Sequence, residues 1–274
     1  MKNKSIIWKI LIFGSVLLLL LLLIVVFSLI KMFVPTDSKT VEKTIISKEY
    51  SLENIESISF DFKKSNSIFK VGEGEELVIV QNSKEDKFYL NFKEKKNKIY
   101  FDVDSYIINP QKKQYIIYIP KSYLNKVTII NGFGSVEIMN ITNYIDINNN
   151  AGRIDMVDIG SIKIKDVSGN MSLKNVTGDI EGLSSTGDII IENIIGKINV
   201  ESITGDIQVS NFFVKGDSSF ENVSGDIIIE LIDKYACKLN YSNESGNIEV
   251  NNNMCTSNVN VINAKNVSGV IKIY

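Results

Sequence analysis

Residues 176–209 read VTGDIEGLSSTGDIIIENIIGKINVESITGDIQV, and within them a unit of the form V-[ST]-G-D-I-x-[IV]-x-N returns at intervals of nine residues. Glycines carry the register outward. Gly152, Gly160, Gly169, Gly178, Gly187, Gly196, Gly205, Gly216 and Gly225 are separated by steps of 8, 9, 9, 9, 9, 9, 11 and 9 residues. Self-similarity at a fixed period marks a solenoid or array and outranks any local propensity. Apolar residues stand two before, two after and four after the glycine, as in Val167, Met171 and Leu173; Ile194, Ile198 and Val200; Ile203, Ile207 and Val209; Val223, Ile227 and Ile229. That is period two, a strand with one face turned inward. The glycine shares the inward parity, where a side chain would collide with the core as the chain bends, so it marks a corner. From four after one glycine to two before the next is a gap of three, so the parity resets once per unit, as in the turn of a coil.

Nine residues cannot wind around a core of their own. Two units per coil, about 18 residues, with strands of successive coils stacked in parallel at about 4.8 Å, is the expected arrangement. Gly134 to Gly152 is 18 residues, Gly225 to Gly246 is 21 and Gly246 to Gly269 is 23, with Ile248, Val250, Ile271 and Ile273 in inward slots. The fold class is therefore all-β: a single-stranded parallel β-solenoid, or β-helix, of about 18–23 residues per coil over residues 126–274. An antiparallel meander would need two-residue Asn-Gly or Gly-Asn turns, whereas the turns here are Ser/Thr-Gly-Asp in mid-unit. Residues 51–125 lack the glycine register but alternate strongly at Ile55–Phe62, Leu77–Val80, Phe88–Phe92, Ile99–Val103 and Tyr115–Ile119, broken by GEGEE, KEKKNK and NPQKK. This N-terminal β region is expected to continue the solenoid with longer coils and to cap its first rung. Residues 35–50 read as a short stalk with one strand, Val41–Ser47.

Residues 10–30, ILIFGSVLLLLLLLIVVFSLI, hold no charge. At 1.5 Å per residue such a helix spans roughly 31 Å, the thickness of a hydrocarbon core. No small-x-small cleavage site follows, so residues 1–34 are expected to form a cytoplasmic tail and one uncleaved transmembrane helix, with the lipid bilayer as partner. Lys2, Lys4 and Lys9 precede the span, and Lys31, Lys39 and Lys43 follow it. The positive-inside bias, with the α-amino group added, slightly favours a cytoplasmic N-terminus and an extracytoplasmic segment 35–274. Residues 1–34 hold four lysines and no acid, leaving 26 basic against 32 acidic residues beyond them, a net charge of −6. Anionic headgroups repel such a domain.

The 274 residues, 44% of them apolar, provide enough chain for a sizeable core. The absence of histidine excludes Ser-His-Asp and Cys-His nucleophiles and His-ligated zinc. Arg153 is the sole arginine, so no basic, Arg-bearing nucleic-acid surface is expected. The sole tryptophan, Trp8, adjoins the apolar span, which leaves a polysaccharide lyase or hydrolase without its aromatic platform and makes an enzyme the least favoured reading.

The stretch Ile117–Ile129, then Asn131-Gly-Phe-Gly-Ser-Val136, then the V-[ST]-G-D-I units resemble the putative-adhesin family of bacterial β-strand-repeat proteins, a domain of unknown function. The likeness covers about residues 50–274. It implies a β-solenoid outside a bacterial membrane, with some members encoded beside envelope-stress regulators, and it brings no catalytic residues. The expected function is a non-enzymatic surface adhesion or binding domain with an unknown surface or envelope partner. The alternative is an accessory of an envelope-stress system that acts through a membrane protein.

Residues after the glycines point outward. One column then holds Arg153, Asn170, Asp188, Asp206 and Asp226, and the other Ser161, Asp179, Lys197 and Asp217. Stacking Asp188, Asp206 and Asp226 about 4.8 Å apart raises the question of calcium, but the Gly-Gly-x-Gly-x-Asp loop of calcium rolls is missing, and turn aspartates that each accept their own backbone amides are the simpler reading. No cofactor is called for. The hydroxyls of Ser168, Thr177, Thr186, Thr204, Ser224 and Ser268 read as turn hydrogen-bonders, and the Asn-x-Ser/Thr matches at Asn170, Asn175, Asn222 and Asn266 follow from the repeat. Cys237 and Cys255 lie 18 residues apart, about one coil, but in different registers relative to the preceding glycine; buried free thiols are expected, with a disulfide geometrically possible. In the 11-residue unit, Phe212 is expected inward and Phe213 outward as a possible contact point.

Overall fold

The computed structural model describes residues 44–84, 87–103, 113–232, 237–251 and 259–274. The proposed membrane span over 10–30 and the start of the stalk lie outside them. Among the described residues no helix is long and apolar enough to cross a membrane. The described residues form 23 strands: β1 (Thr44–Tyr50), β2 (Ser57–Lys63), β3 (Asn66–Gly72), β4 (Leu77–Ser83), β5 (Leu90–Lys95), β6 (Lys98–Val103), β7 (Gln114–Pro120), β8 (Lys126–Asn131), β9 (Val136–Met139), β10 (Ile145–Ala151), β11 (Ile154–Ile159) and β12 (Ile162–Ser168). There follow β13 (Met171–Thr177), β14 (Ile180–Thr186), β15 (Ile189–Gly196), β16 (Ile198–Thr204), β17 (Ile207–Val214), β18 (Ser218–Ser224), β19 (Ile227–Leu231), β20 (Cys237–Ser245), β21 (Ile248–Val250), β22 (Asn260–Ser268) and β23 (Ile271–Ile273).

From β8 to β19 successive strands alternate between two sheets, and each pairs in parallel with the strand one coil away. Met171 stands beside Ile189 and Ile162 beside Ile180, the 18-residue coil that the glycine spacing implies. The coil lengthens to 20 where Ile207 meets Ile227. Ile162, Ile164, Met171, Leu173, Ile180, Ile189, Ile191, Ile198, Val200, Ile207, Val209, Ile227 and Ile229 are buried between the two sheets.

The two half-coils are not equivalent, which corrects one expectation. In β11, β13, β15 and β17 a residue six after the glycine turns left-handed: Asp158, Asn175, Asn193 and Asn211 have φ of 54–57°. The resulting bulge shifts the parity by one, so the following Ile159, Val176, Ile194 and Phe212 face inward. In β12, β14, β16 and β18 no such residue intervenes and simple alternation continues. The residue two before the glycine therefore stays outside: Val167, Ile203 and Val223 are 53%, 55% and 46% exposed, although their sequence pattern placed them in the core.

The corner glycines avoid a different obstacle from the one expected. A Cβ on Gly187, whose φ is +122°, would lie 2.1 Å from Gly169 O, and one on Gly196 would lie 2.1 Å from Gly178 O. The neighbouring coil's backbone, and not the core, excludes a side chain there.

Both ends depart from sequential stacking. Gly225 is followed in space by Gly269 and then Gly246, because β22 and β23 insert between β18/β19 and the outermost β20/β21. In this order the inward neighbour of Phe220 is Ala264, and Tyr241 lies one rung further out, 39% exposed. At the other end β2/β3 insert between β8/β9 and the outer β6/β7. Antiparallel β4, β5 and β1 then close the outer rung, the expected cap. Its core is aromatic, with Phe60, Phe62, Phe69, Phe101 and Tyr115 in mutual ring contact.

Candidate binding site: the polar column and its groove

Where β12, β14, β16 and β18 keep simple alternation, the residue three before each corner glycine faces inward. It is polar in every rung. Asn131, Asn149, Asp166, Ser184, Ser202, Asn222 and Asn266 stack in register across β8, β10, β12, β14, β16, β18 and β22, and each is at least nine-tenths buried. Where the residue is asparagine, its amide supplies the donor that a corner carbonyl needs. Asn149 Nδ2 donates to Gly152 O at 3.0 Å, Asn222 Nδ2 to Gly205 O at 2.9 Å and Asn266 Nδ2 to Gly225 O at 2.8 Å.

The amides also form a directed ladder. Asn131 Nδ2 donates to Asn149 Oδ1 at 2.6 Å, and Asn149 Nδ2 to Asp166 Oδ1 at 2.6 Å. Asp166 ends it, because a carboxylate only accepts. Burial pushes its carboxyl up to about 6, against the lowering effect of the Asn149 amide and the backbone N–H groups of Ser168 and Val167. Beyond it the hydroxyls of Ser184 and Ser202 are too short to continue, and Asp166 Oδ2, Ser184 Oγ, Ser202 Oγ and Asn222 Oδ1 have no hydrogen-bond partner among the described residues.

These four residues line a groove of about 320 Å³ that runs across β12, β14, β16, β18 and β22. Leu183, Ile203, Val223 and Val267 form its apolar lip, and Glu201, Glu221 and Lys265 its charged one. Val167, Ile203 and Val223 make a row of exposed apolar side chains along the solenoid, with Leu183, 43% exposed, beside it. On the same sheet nearer β8, a second hollow of about 390 Å³ is lined by Ile130, Phe133, Lys64 and Asn148 among others, with Phe133 53% exposed.

Asp188, Asp206 and Asp226 do stack, but each uses an oxygen on the next rung. Asp188 Oδ1 accepts from Asp206 N at 3.0 Å, Asp206 Oδ1 from Asp226 N at 2.9 Å, and Asp226 Oδ1 from Val270 N at 2.8 Å. In the other column Asp179 Oδ1 accepts from Lys197 N at 3.2 Å and Asp217 Oδ1 from Val261 N at 2.8 Å. The aspartates thus serve the neighbouring coil's amides and not, as expected, their own, the same role that Asn170 Oδ1 plays for Asp188 N.

The Toastrack DUF4097 family profile matches residues 32–273. The chain belongs to that family. It is similar to a crystal structure of a putative adhesin from Bacteroides fragilis, at 15% identity and a TM-score of 0.47, covering 85% of this chain and 98% of that one. A putative adhesin from Parabacteroides merdae matches at 11% and 0.28, covering 84% and 96%, and a putative lipid binding protein from Parabacteroides distasonis at 14% and 0.37, covering 84% and 94%. No curated protein matches the chain.

In this Toastrack domain Phe212 is buried against Phe220, and Phe213 is half-buried at the bulged corner with Lys215 Nζ 5.8 Å from its ring. The neighbours of Phe213 at that corner, Ile195 and Ile232, are more exposed, at 45% and 57%. Cys237 is disulfide-bonded, which overturns the expected free thiol; the other cysteine, Cys255, lies outside the described residues. Of the Asn-x-Ser/Thr matches, Asn222 and Asn266 are buried in the polar column. Asn175 belongs to a second amide ladder along the bulges, accepting from Asn193 Nδ2 at 2.9 Å and donating to Asp158 Oδ1 at 2.7 Å. Sequence reasoning passed over the polar column, although its signal, a small polar residue three before every second glycine, stands in the repeat.

Proposed function

We propose that this Toastrack protein is a non-enzymatic binding domain, held at the cell membrane by residues 10–30 with residues 35–274 on the extracytoplasmic side, and that its sheet face beside the glycine corner is the surface that binds. The observation that carries this reading is the exposed row Val167, Ile203 and Val223, continued by Leu183. An isolated exposed apolar residue is ordinary, whereas a row that fills this slot on three of four successive rungs, with Ser185 on the fourth, beside a groove is the pattern of an interaction surface. The uncharged 21-residue segment supports the anchor, and the net −6 beyond it supports a domain standing clear of anionic lipid.

Retention of the full chain, in detergent, on purified cell wall tests the reading against capture by solubilised membrane proteins. Binding to wall that is lost in the double variant Ile203→Asp/Val223→Asp supports an adhesive role. Binding only to a membrane protein, lost in the same variant, points instead to the accessory role in envelope signalling. Undiminished binding by the variant removes this face from the function.

A further inference from the structure

Three rows run along the outer face of the sheet that contains β12, β14, β16, β18 and β22, with one residue of each row on each rung. The ridge is Val167, Ser185, Ile203, Val223 and Val267. Two residues before it stands the row Lys165, Leu183, Glu201, Glu221 and Lys265, and one residue after it a row of hydroxyls, Ser168, Thr186, Thr204, Ser224 and Ser268. The residue between the ridge and the charged row points inward, so the groove of about 320 Å³ lies on the outer face between them, with Leu183, Glu201, Glu221 and Lys265 on one bank and Ile203, Val223 and Val267 on the other. This surface is complementary to itself. A two-fold axis parallel to the solenoid axis and passing between ridge and groove reverses the strands but keeps every rung level, so each ridge lies over the other copy's groove and each charged row faces the other copy's hydroxyls. Glu201 then stands opposite Thr204 of the second copy, Glu221 opposite Ser224, Lys265 opposite Ser268 and Leu183 opposite the methyl of Thr186, with no like charges facing one another. A two-fold axis along the strands instead sets ridge on ridge and groove on groove.

We propose that two copies of this chain pair side by side through this face, ridge into groove, within one membrane. The inference rests on the reading of this face as the binding surface and of residues 10–30 as the anchor. β1 is the outermost strand at one end of its sheet, so the chain N-terminal to it leaves from that end. The two-fold parallel to the solenoid axis sends both N-terminal segments the same way, as two copies anchored in one membrane require, whereas the two-fold along the strands sends them in opposite directions. The contact is small. Rungs about 4.8 Å apart and residues about 3.3 Å apart give a patch of roughly 24 Å by 13 Å, or about 300 Å² per copy, against about 800 Å² per partner in a standard interface. Such a contact is weak between freely diffusing molecules, and confinement in a membrane strengthens it by raising the effective concentration of one copy around the other.

The test is disulfide crosslinking of the full chain in phosphatidylcholine vesicles under mild oxidation, read on a gel without reductant. Because the axis keeps every rung level, Ile203→Cys and Val223→Cys are each expected to crosslink to the same residue of the second copy and to migrate at twice the monomer mass. Glu181→Cys, on the same sheet face, lies roughly 23 Å from its counterpart across the axis and is expected to stay at the monomer mass, as is the wild type with its own cysteines. Adding Ile203→Asp to Val223→Cys is expected to abolish the crosslink. Crosslinking of only one of the two single variants overturns the parallel pairing, because an axis along the strands brings a rung against itself at one level at most. Crosslinking of Glu181→Cys to the same extent signals random collision and overturns the interface. The pairing and the wall-binding reading fail separately. Wall retention that depends on Ile203 and Val223 in a chain that never crosslinks overturns the pairing and leaves the binding face; crosslinking in a chain whose wall retention ignores those residues supports the pairing and removes the wall.

Discussion

Asp166 is the one acid in a column otherwise built of amides and hydroxyls, and its consequences are electrostatic. Its folded-state pKa of about 6 lies above the ordinary 3.8, so the folded protein holds a proton that the unfolded chain has released in that interval. Stability is therefore full below about pH 4, falls as pH rises through about 6, and is flat beyond, with a total loss of up to about 3 kcal/mol. Urea unfolding from pH 3.5 to 8 checks this. Asp166→Asn, the residue of four other rungs, is expected to flatten the profile and to gain part of that energy at pH 8. At Gly196 the contact is steric: a Cβ 2.1 Å from Gly178 O has only backbone to push against. Gly196→Ala is expected to cost at least about 2 kcal/mol in the same measurement. The glycine was legible from its spacing. The burial of the residue at position 166 was not, because it depends on a parity that the nine-residue unit leaves ambiguous.

That ambiguity is resolved at the scale of the strand. One repeat position, six after the glycine, becomes a left-handed bulge at Asn193 and Asn211 but an inward hydroxyl at Ser184 and Ser202. Asn193 pairs with Asn175 and accepts from Asn211 Nδ2 at 2.8 Å, with φ of 55°. Asn193→Ala loses both bonds and strains the backbone, for an expected cost of about 1–3 kcal/mol; Asn193→Gly relieves the strain and costs less, and Asn193→Val costs most. The parity also separates two isoleucines that the sequence pattern treats alike. Ile203→Asp, on the exposed face, is expected to change stability by no more than about 0.5 kcal/mol, while Ile207→Asp, fully buried, is expected to unfold the protein. Circular dichroism melts of the two variants decide it.

For the whole molecule the decisive feature is the order of the end rungs. β20 and β21 rest on β22 and β23 instead of on β18 and β19, so the last segment of the chain supports the one before it. Deleting residues 259–274 is expected to free both rungs: hydrogen exchange across 237–250 should become fast while β10 to β17 keep their protection. Slow exchange over 237–250 in the truncated chain would mean that this rung docks directly on β18. Because Cys237 is disulfide-bonded, reduction is expected to loosen β20 before the central coils.

The sequence alone determined that this protein is a parallel β-solenoid with an 18-residue coil, glycines at its corners and aspartates beside them, because a repeated bend and a repeated inward face must recur in the residues that make them. Only the tertiary structure decided which of the two half-coils carries the bulge, which apolar residues face water, and that the C-terminal rung is inserted out of turn. Those outcomes depend on which rung lies beside which. Ala264 stands beside Phe220, and that contact exists only between strands whose residues lie 44 apart in the chain.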